Sequence, residues 1–223
     1  MREPQVMYRV INCKRHEERL ARFKKAANDA NLTVPRANCV DGSKWTDKAL
    51  CRMQKEGILG TKHQLRKWER REMSTGPDPL TPIELAINLS HFSCWQRFLQ
   101  SKKQYLCVFE DDVRVSDTFG EKLLCLLKDD VVNKFDILYL INGNWMKTIR
   151  SQSKVASVKC TLGRSKTTLE VRRETEAYCA GAACYVLSRN FAQHLVENIL
   201  PVQQPVANFM GSRPIRRFRH YPL

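Results

Sequence analysis

The chain has 223 residues, of which 43% are hydrophobic and 27% are charged, and both values are ordinary for a globular protein. We expect a single domain over residues 1–223, because this length supports one large hydrophobic core. Lysine and arginine number 38 against 23 acids, a net charge of +15, so the surface attracts phosphate-bearing partners of any class. No apolar run reaches the roughly 18 residues of a membrane span, and the first residues lack the apolar stretch of a secretory signal, which predicts a cytoplasmic protein.

The nine cysteines are odd in number and widely spaced, and several lie inside apolar runs, as Cys107 and Cys184 do. This distribution predicts reduced, mostly structural thiols. Because the sequence has no CxxC pair and no Cys/His spacing of the zinc type, we expect no structural zinc.

The N-terminal part of the chain has the pattern of a strand followed directly by a helix. Val6–Asn12 has strand composition, and residues 14–32 have helical periodicity, which is how a βαβ sheet usually begins. Arg15 and Arg19 are four residues apart and therefore share a helix face near the expected ligand edge of the sheet, although a solvated basic helix would also explain them. Residues 37–40 form a second candidate strand, which an Asp-Gly turn ends.

Two stretches lack a clear periodic pattern. Residues 43–79 form a variable excursion, which is either a mobile cover over a site or an exposed helical segment. Residues 211–223 form a basic tail of loop-like composition, which is exposed unless a phosphate partner orders it.

The clearest helix begins at Thr81. Thr81 supplies an N-cap hydroxyl, Pro82 takes the first helical position, and Glu84 is spaced to close a capping box. The apolar residues of the core-facing stripe are Leu85, Leu89, Phe92, Trp95 and Leu99. Glu84, Asn88 and His91 form a polar line beside that stripe, which is a candidate wall of a cleft. Capping competes with catalysis as the role of Glu84, and a satisfied helix-flank histidine competes with a site residue as the role of His91.

The most distinctive stretch is YLCVFEDDV at residues 105–113. Its continuous apolar run predicts a buried strand of a parallel sheet, and such sheets bind ligands at the carboxyl ends of their strands. Glu110, Asp111 and Asp112 follow there, with Glu110 and Asp112 on one face if the extended conformation persists. Like charges this close favour a bound cation, and Mg²⁺ or Mn²⁺ is held by one or two carboxylates plus substrate phosphates. The alternative is an acidic loop in water.

The rest of the chain continues an alternating pattern of strands and helices. The predicted elements are a capped helix from residue 118, a strand over 135–141 ending at a turn at 142–144, a hairpin of strands over 155–160 and 167–171, a strand over 181–187, and a helix capped by Ser188. This order predicts an α/β layered domain. The residues alone indicate a metal or phosphate site at a sheet edge in a basic protein, without specifying a reaction.

Six stretches of the chain, taken in order, resemble glycosyltransferase family 25, the family of lipopolysaccharide and collagen sugar transferases. They lie at residues 10–19, 39–42, 80–95, 105–113, 135–140 and 181–188 and span most of the chain. The resemblance implies a GT-A-like, Rossmann-type α/β fold with a mostly parallel sheet flanked by helices. It also implies a nucleoside-diphosphate sugar donor and transfer with inversion at the anomeric carbon.

The resemblance further implies roles for individual residues. The acidic cluster looks like the counterpart of a DxD site, in which Glu110 and Asp112 would hold Mn²⁺ (or Mg²⁺) against the donor diphosphate and neutralise charge on the leaving group. The residues implied for donor binding are Arg15, Arg19, Ser90, Glu110 and Asp111. His91, which with Ser90 matches the family's Ser-His pair, and Glu84 are the candidates for the catalytic base.

Three positions depart from the family's pattern. Ile83 and Ala86 stand where glycines are usual, and Ala207 stands where a motif resembling PVD has its acid. Because an inverting transferase needs a base at the acceptor hydroxyl, the missing acid implies either a base supplied elsewhere or lost catalysis.

The leading hypothesis is a metal-dependent glycosyltransferase that moves galactose or glucose from a UDP-sugar to a glycan or hydroxylysine-type protein acceptor. The second hypothesis is a catalytically silent relative that acts as a binding protein, motivated by Ala207 and the missing glycines. The third is a nucleic-acid-binding module, which the net charge favours, but the aromatic residues are not interleaved with basic ones in an RRM-like pattern.

Overall fold

The computed structural model describes residues 3–60, 80–129, 135–140, 152–162, 165–174 and 182–210. Most of the predicted excursion, the turn at 142–144 and the basic tail lie outside these described residues. The expectation of a single domain over the whole chain therefore stays a prediction.

A five-stranded sheet forms the centre of the described structure, with strand order β2-β1-β3-β7-β4. Its strands are β1 (Val6–Asn12), β2 (Arg36–Asn38), β3 (Tyr105–Glu110), β4 (Ile137–Tyr139) and β7 (Cys184–Ser188). β1 pairs in parallel with both β2 and β3, whereas β7 runs antiparallel between β3 and β4. The fold is thus α/β with a mostly parallel sheet, as predicted. The carboxyl ends of β1, β2 and β3 meet at one edge of this sheet.

Helices flank the sheet. The α-helices are α1 (Glu17–Asp29), α2 (Asp47–Lys55), α3 (Pro82–Leu99), α4 (Phe119–Lys128), α5 (Arg189–Asn198) and α6 (Val206–Met210), and short 3-10 helices cover Lys14–His16 and Gly42–Lys44. α2 lies within the stretch whose helical periodicity was weak in the sequence, and Thr46 caps it by accepting a hydrogen bond from the Ala49 amide. No helix in the described ranges is long and apolar enough to cross a membrane.

The core consists of two clusters, one on each face of the sheet. Side chains alternate along β3, so Leu106 and Val108 belong to the cluster that contains α3 and α5, whereas Cys107 and Phe109 belong to the cluster that contains α1 and α4. All four side chains are fully buried. This burial on both faces explains the unbroken apolar run that preceded the acidic cluster in the sequence.

Helix α3 begins with the predicted capping box. The Thr81 hydroxyl accepts from the Glu84 amide at 3.1 Å, and a Glu84 carboxylate oxygen accepts from the Thr81 amide at 2.7 Å. Of the predicted stripe, Leu85 and Trp95 are buried, whereas Leu89, Phe92 and Leu99 are only partly buried. The other buried residues of the helix are Ala86, Asn88, Ser90, His91, Cys94 and Phe98. The sheet, α5 and the segment after β2 pack against different sides of α3, which leaves few of its positions in water.

The predicted hairpin is present and longer than expected, with β5 (Gln152–Leu162) antiparallel to β6 (Ser165–Glu174). A disulfide between Cys125 and Cys160 joins β5 to α4. A second disulfide joins Cys13, after β1, to Cys39, after β2. The expectation of reduced cysteines is therefore wrong for these four residues, since their partners lie 26 and 35 positions apart and become neighbours only in the folded chain.

The amino ends of α4 and α5 and the carboxyl end of α3 differ in how they are capped. At Thr118 the predicted capping box is wrong, because its side chain makes no cap hydrogen bond to α4. Ser188 caps α5 as predicted, by accepting from the Phe191 amide at 3.2 Å. The next residue, Arg189, donates through its guanidinium to the carbonyls of Phe98, Leu99, Ser101 and Lys103. These bonds satisfy carbonyl groups at the carboxyl end of α3 and attach that end to α5.

Candidate active site

A cleft of about 270 Å³ opens at the edge where β1, β2 and β3 end. It is lined by the end of β1 and the residues that follow it, the residues after β2, the first three turns of α3, and the acidic cluster at the end of β3. The lining residues are Ile11, Cys13, Arg15, His16, Arg19, Cys39, Val40, Asp41, Gly42, Ile83, Ala86, Ile87, Ser90, His91, Glu110, Asp111 and Asp112. Seven of the eight predicted site residues therefore line one cleft. The eighth, Glu84, is not in this lining.

The acidic cluster lines the cleft although the strand does not continue through it. β3 ends at Glu110, and Asp111 and Asp112 form a turn. The side chains of Glu110 and Asp111 are 33% and 11% exposed, and Asp112 is exposed. The cleft thus receives one carboxylate from the last residue of β3 and two from the turn that follows, rather than two from one face of an extended strand.

Asp111 is held by residues that follow or end β1. The Asn12 side-chain amide donates to Asp111 Oδ2 at 2.7 Å and to the His16 carbonyl at 2.9 Å. An Arg19 guanidinium nitrogen lies 3.5 Å from Asp111 Oδ1. With both oxygens engaged, Asp111 stabilises the edge of the sheet, and Glu110 and Asp112 are left more open to a ligand.

Asn12 is a functional candidate that the sequence reasoning missed. Its side chain is 1% exposed, and its Oδ1 atom has no hydrogen-bond partner among the described residues. A signal was available, because Asn12 is the polar last residue of a buried strand at the predicted ligand edge.

Arg15 and Arg19 bring positive charge to the same cleft. They do not share one helix as predicted, because Arg15 lies in the 3-10 helix Lys14–His16 and Arg19 lies in α1. The side chains of Arg15 and Arg19 are 42% and 46% exposed, so both guanidinium groups are accessible to a ligand. Arg15 donates to Asp41 Oδ1 at 2.8 Å and to the Ser43 hydroxyl at 2.5 Å. Hydrogen bonds from Ser43, together with the Arg15 charge, hold the pKa of Asp41 below its ordinary value. Asp41 is therefore an anion that orients Arg15.

Ser90 is fully engaged in positioning the segment after β2. Its hydroxyl donates to the Ala86 carbonyl at 2.7 Å and accepts from the Val40 amide at 2.8 Å. Gly42, in the same segment, lies directly against α3. A Cβ atom built on Gly42 would lie 2.7 Å from the Pro82 carbonyl carbon and 2.9 Å from Ala86 Cβ. Only glycine permits this approach of the segment to α3.

The two candidates for the catalytic base occupy different environments. His91 is fully buried, with Nδ1 2.7 Å from the Tyr185 hydroxyl and Nε2 3.5 Å from Glu110 Oε1. The Glu84 carboxylate accepts from both the amide and the hydroxyl of Thr81. His91 thus has no solvent-exposed surface, and Glu84 Oε2 is engaged in the capping box.

The cleft residues fit a divalent cation only if a ligand completes its coordination. Within the described part of the chain, no group of three or more His, Cys, Asp or Glu side chains forms a ready cation site. Glu110 and Asp112 supply hard oxygen donors in the cleft, and Mg²⁺-type ions are commonly held by one or two carboxylates plus substrate phosphates. The donor chemistry therefore suits Mn²⁺ or Mg²⁺ that arrives with a phosphate-bearing ligand.

The wall of the cleft that the start of α3 forms is apolar. Ile83 and Ile87 are one turn apart on α3 and are 51% and 39% exposed, and Ala86 lies between them. The side chains at 83 and 86, where the family usually has glycine, thus narrow the cleft itself. Ala207, which stands at the expected acid, lies in α6, packs against the core cluster that contains α3, and is not in the cleft lining.

Comparison with known proteins identifies the class to which this fold and cleft belong. The family model described as Glycosyltransferase family 25 (LPS biosynthesis protein) matches residues 6–210. The chain belongs to glycosyltransferase family 25.

Individual relatives carry more specific names. The chain is 25% identical over 222 residues to "Procollagen galactosyltransferase 2" of Mus musculus, which covers 95% of this chain and 31% of that protein, and 23% identical over 219 residues to the Homo sapiens protein of the same name. It is 27% identical over 133 residues to "Inactive glycosyltransferase 25 family member 3" of Mus musculus, covering 59% of this chain and 21% of that protein. The chain therefore spans less than a third of the length of these relatives.

A solved structure is also similar to the described fold. It is the CMP:2-keto-3-deoxy-manno-octonic acid synthetase complexed with CTP, with a TM-score of 0.43 and 8% sequence identity, covering 98% of this chain and 90% of that one.

Proposed function

We propose that the protein is an inverting, metal-dependent glycosyltransferase with a GT-A-like fold, which moves galactose or glucose from a UDP-sugar to a glycan or hydroxylysine-type protein acceptor. The observation that carries this proposal is the meeting of Glu110 and Asp112 with Arg15 and Arg19 in one cleft at the sheet edge. Carboxylates and guanidinium groups together suit a diphosphate that binds with a divalent cation. Family membership and the galactosyltransferase relatives support the reaction class and the sugar.

In the proposed roles, some residues of the cleft bind the metal ion and others bind the phosphate groups of the donor. Glu110 and Asp112 would hold Mn²⁺ or Mg²⁺, which when bound neutralises negative charge on the departing diphosphate. Arg15 and Arg19 bind phosphate oxygens directly, because guanidinium groups match them with paired hydrogen bonds. Asp111 and Ser90 position other parts of the cleft instead of contacting the donor directly, since Asp111 is hydrogen-bonded to Asn12 and Ser90 is hydrogen-bonded to Val40.

The catalytic base is assigned differently from the sequence hypothesis. A base must come within hydrogen-bond reach of the acceptor hydroxyl. Glu84 is engaged in the capping box and His91 is fully buried, so we give neither of them direct contact with the acceptor. We propose that the base is neither of these two residues.

Isothermal titration calorimetry with UDP and Mn²⁺ tests the donor site. The wild-type protein is expected to bind UDP only with Mn²⁺ present, and Asp112→Ala should weaken binding by more than about tenfold, a loss that even residues behind metal ligands produce. Asp117→Ala is the matched control, because Asp117 is also an exposed acid of the segment after β3 but does not line the cleft. Equal binding by wild type and Asp112→Ala would contradict the metal assignment.

A catalytically silent binding protein is the second candidate function. Two observations favour it: relatives of this chain carry the name inactive, and Ala207 replaces the expected acid. A screen of UDP-sugars with detection of released UDP separates the two candidates. Turnover above the Asp112→Ala background with any sugar excludes the silent role, whereas Mn²⁺-dependent UDP binding without turnover supports it.

The two disulfides indicate the kind of cellular compartment in which the protein resides. Disulfides persist in oxidising compartments and are rare in the cytosol, so we propose an oxidising location in place of the cytoplasmic one expected from the sequence. Alkylation of the protein purified without reductant, followed by peptide mass spectrometry, should leave Cys13, Cys39, Cys125 and Cys160 unlabelled. Labelling of all four would return the assignment to a reducing compartment.

A further inference from the structure

A chain of buried polar groups runs from the interior of α3 to the acidic cluster. The Trp95 indole Nε1 donates to the Tyr185 hydroxyl at 2.9 Å, and that hydroxyl lies 2.7 Å from His91 Nδ1. All three side chains are fully buried. Trp95 and His91 are one turn apart on α3, and Tyr185 reaches them from β7, the strand between β3 and β4.

The chemistry of these groups assigns the protons. An indole N–H can only donate, so the Tyr185 oxygen must accept from Trp95. Burial raises the pKa of Tyr185 well above its ordinary value, which keeps the phenol protonated. Its single hydrogen is then free to be donated to His91 Nδ1. A histidine that accepts at Nδ1 carries its own hydrogen on Nε2, and this is the neutral tautomer.

The remaining hydrogen of the chain faces Glu110. His91 Nε2 is buried and has no hydrogen-bond partner of ordinary length among the described residues, and Glu110 Oε1 lies 3.5 Å from it. That separation is at the outer limit for a hydrogen bond, so a small rotation of the Glu110 side chain satisfies a buried donor that is otherwise costly. The Glu110 backbone is already fixed, because its amide donates to the Ala183 carbonyl at 2.7 Å.

We propose that His91 is a positioning residue, which uses its Nε2 hydrogen to hold Glu110 Oε1 against α3 and thereby turns the second carboxylate oxygen of Glu110 toward the cleft. This inference rests on the proposed function, since the group that Glu110 meets there is the divalent cation of the donor complex. A neutral histidine orients the carboxylate without cancelling its charge, so the full negative charge stays available to the cation. Trp95 and Tyr185 set the tautomer of His91, as outer-shell partners do for histidines at metal sites.

The tautomer is tested directly in the free protein. Long-range ¹H–¹⁵N NMR of histidine-labelled protein distinguishes the Nε2–H tautomer from the Nδ1–H tautomer and from the doubly protonated ring. We expect His91 to be in the Nε2–H form in the wild type and to become a mixture of tautomers in Tyr185→Phe, which removes the hydrogen donated to Nδ1. An Nδ1–H or doubly protonated His91 in the wild type would overturn the assignment.

Cation binding tests the consequence for Glu110. Calorimetry with Mn²⁺ and UDP should give about tenfold weaker Mn²⁺ binding for His91→Phe and for Tyr185→Phe, within the range measured for outer-shell partners. His91→Gln should restore binding to within about threefold of wild type, because a glutamine amide can present an N–H near the position of His91 Nε2. Tyr8→Phe is the control, since it removes a phenol from the opposite face of the same sheet. Unchanged Mn²⁺ binding in His91→Phe would overturn the proposal.

The two measurements separate this inference from the proposed function. If the wild type binds neither Mn²⁺ nor UDP while His91 is the Nε2–H tautomer, the donor site is wrong and the His91–Glu110 orientation has no cation to serve, so both fail. If the wild type binds Mn²⁺ and UDP but His91→Phe binds equally well, only the positioning role fails. Far-ultraviolet circular dichroism of each variant identifies any that is unfolded. If His91→Phe does not fold, Tyr185→Phe decides the question, since its Mn²⁺ binding should also fall about tenfold and wild-type binding would overturn the proposal.

Discussion

Replacing Gly42 by alanine should detach the segment after β2 from α3. The new Cβ would lie 2.7 Å from the Pro82 carbonyl carbon and 2.9 Å from Ala86 Cβ, closer than real Cβ atoms approach such neighbours. Because Pro82 contributes backbone atoms, the segment must move rather than a side chain. That movement also strains the 2.8 Å hydrogen bond from the Val40 amide to the Ser90 hydroxyl.

The magnitude follows from these two losses. Overpacking of a closely packed position costs about 1–3 kcal/mol, and a lost hydrogen bond costs about 1 kcal/mol. The free energy of unfolding should therefore fall by about 3 kcal/mol in Gly42→Ala. For a chain of this size, each kcal/mol lowers Tm by about 2–4 °C, so the expected decrease is about 6–12 °C.

Thermal and urea unfolding followed by circular dichroism measure the effect. Gly120→Ala is the matched control: it lies in α4, where its Cβ meets only the flexible end of Leu32 at 3.0 Å, and alanine favours the helix. We expect it to change stability by less than about 1 kcal/mol. Ser90→Ala should cost less in the Gly42→Ala background than alone, since the Val40 contact is already lost. A Tm for Gly42→Ala equal to that of wild type would refute the reasoning.

The remaining predictions concern other anchors of the fold. Arg189→Ala should lower the free energy of unfolding by about 3 kcal/mol, because four backbone carbonyls lose their hydrogen bonds to a charged donor. In urea unfolding, Arg189→Lys should recover only part of this free energy, since one ammonium group cannot reach all four carbonyls. Joint replacement of Cys13 and Cys39 by serine should cost about 3.5 kcal/mol for a loop of 26 residues, and dithiothreitol should destabilise the wild type more than this variant. Asn12→Asp should cost about 2 kcal/mol at pH 7, because a donor to Asp111 becomes a like charge; stability equal to wild type would contradict the contact.

Features encoded by neighbours in sequence were predictable. β1 was predicted with its observed bounds, and the capping box of α3 was recognised from Thr81 and Glu84, since each depends on a few adjacent residues. The acidic cluster was placed at the sheet edge because an apolar run and three acids adjoin. Local patterns of this kind survive folding when the tertiary structure agrees with them.

Features that depend on distant parts of the chain were not predictable. The pairing of Cys13 with Cys39 follows from β1 and β2 lying side by side, which no spacing rule specifies. The burial of His91 depends on Tyr185, 94 positions away. The helical periodicity of α3 indicated a single stripe, because it carries no information on how many neighbours pack around the helix.

The attachments of α3 have a consequence for motion in the cleft. Its first turn is packed against Gly42, its middle is bonded through His91 to Tyr185, and its carboxyl end is tied to Arg189. Amide hydrogens along α3 should therefore exchange with solvent only in the most extensive opening events, whereas the half-exposed side chains of Arg15 and Arg19 lie on a wall with fewer buried anchors. The α3 side of the cleft should thus be rigid and the side that carries Arg15 and Arg19 more flexible. A ligand that enters the cleft should slow amide hydrogen exchange chiefly around the two arginines.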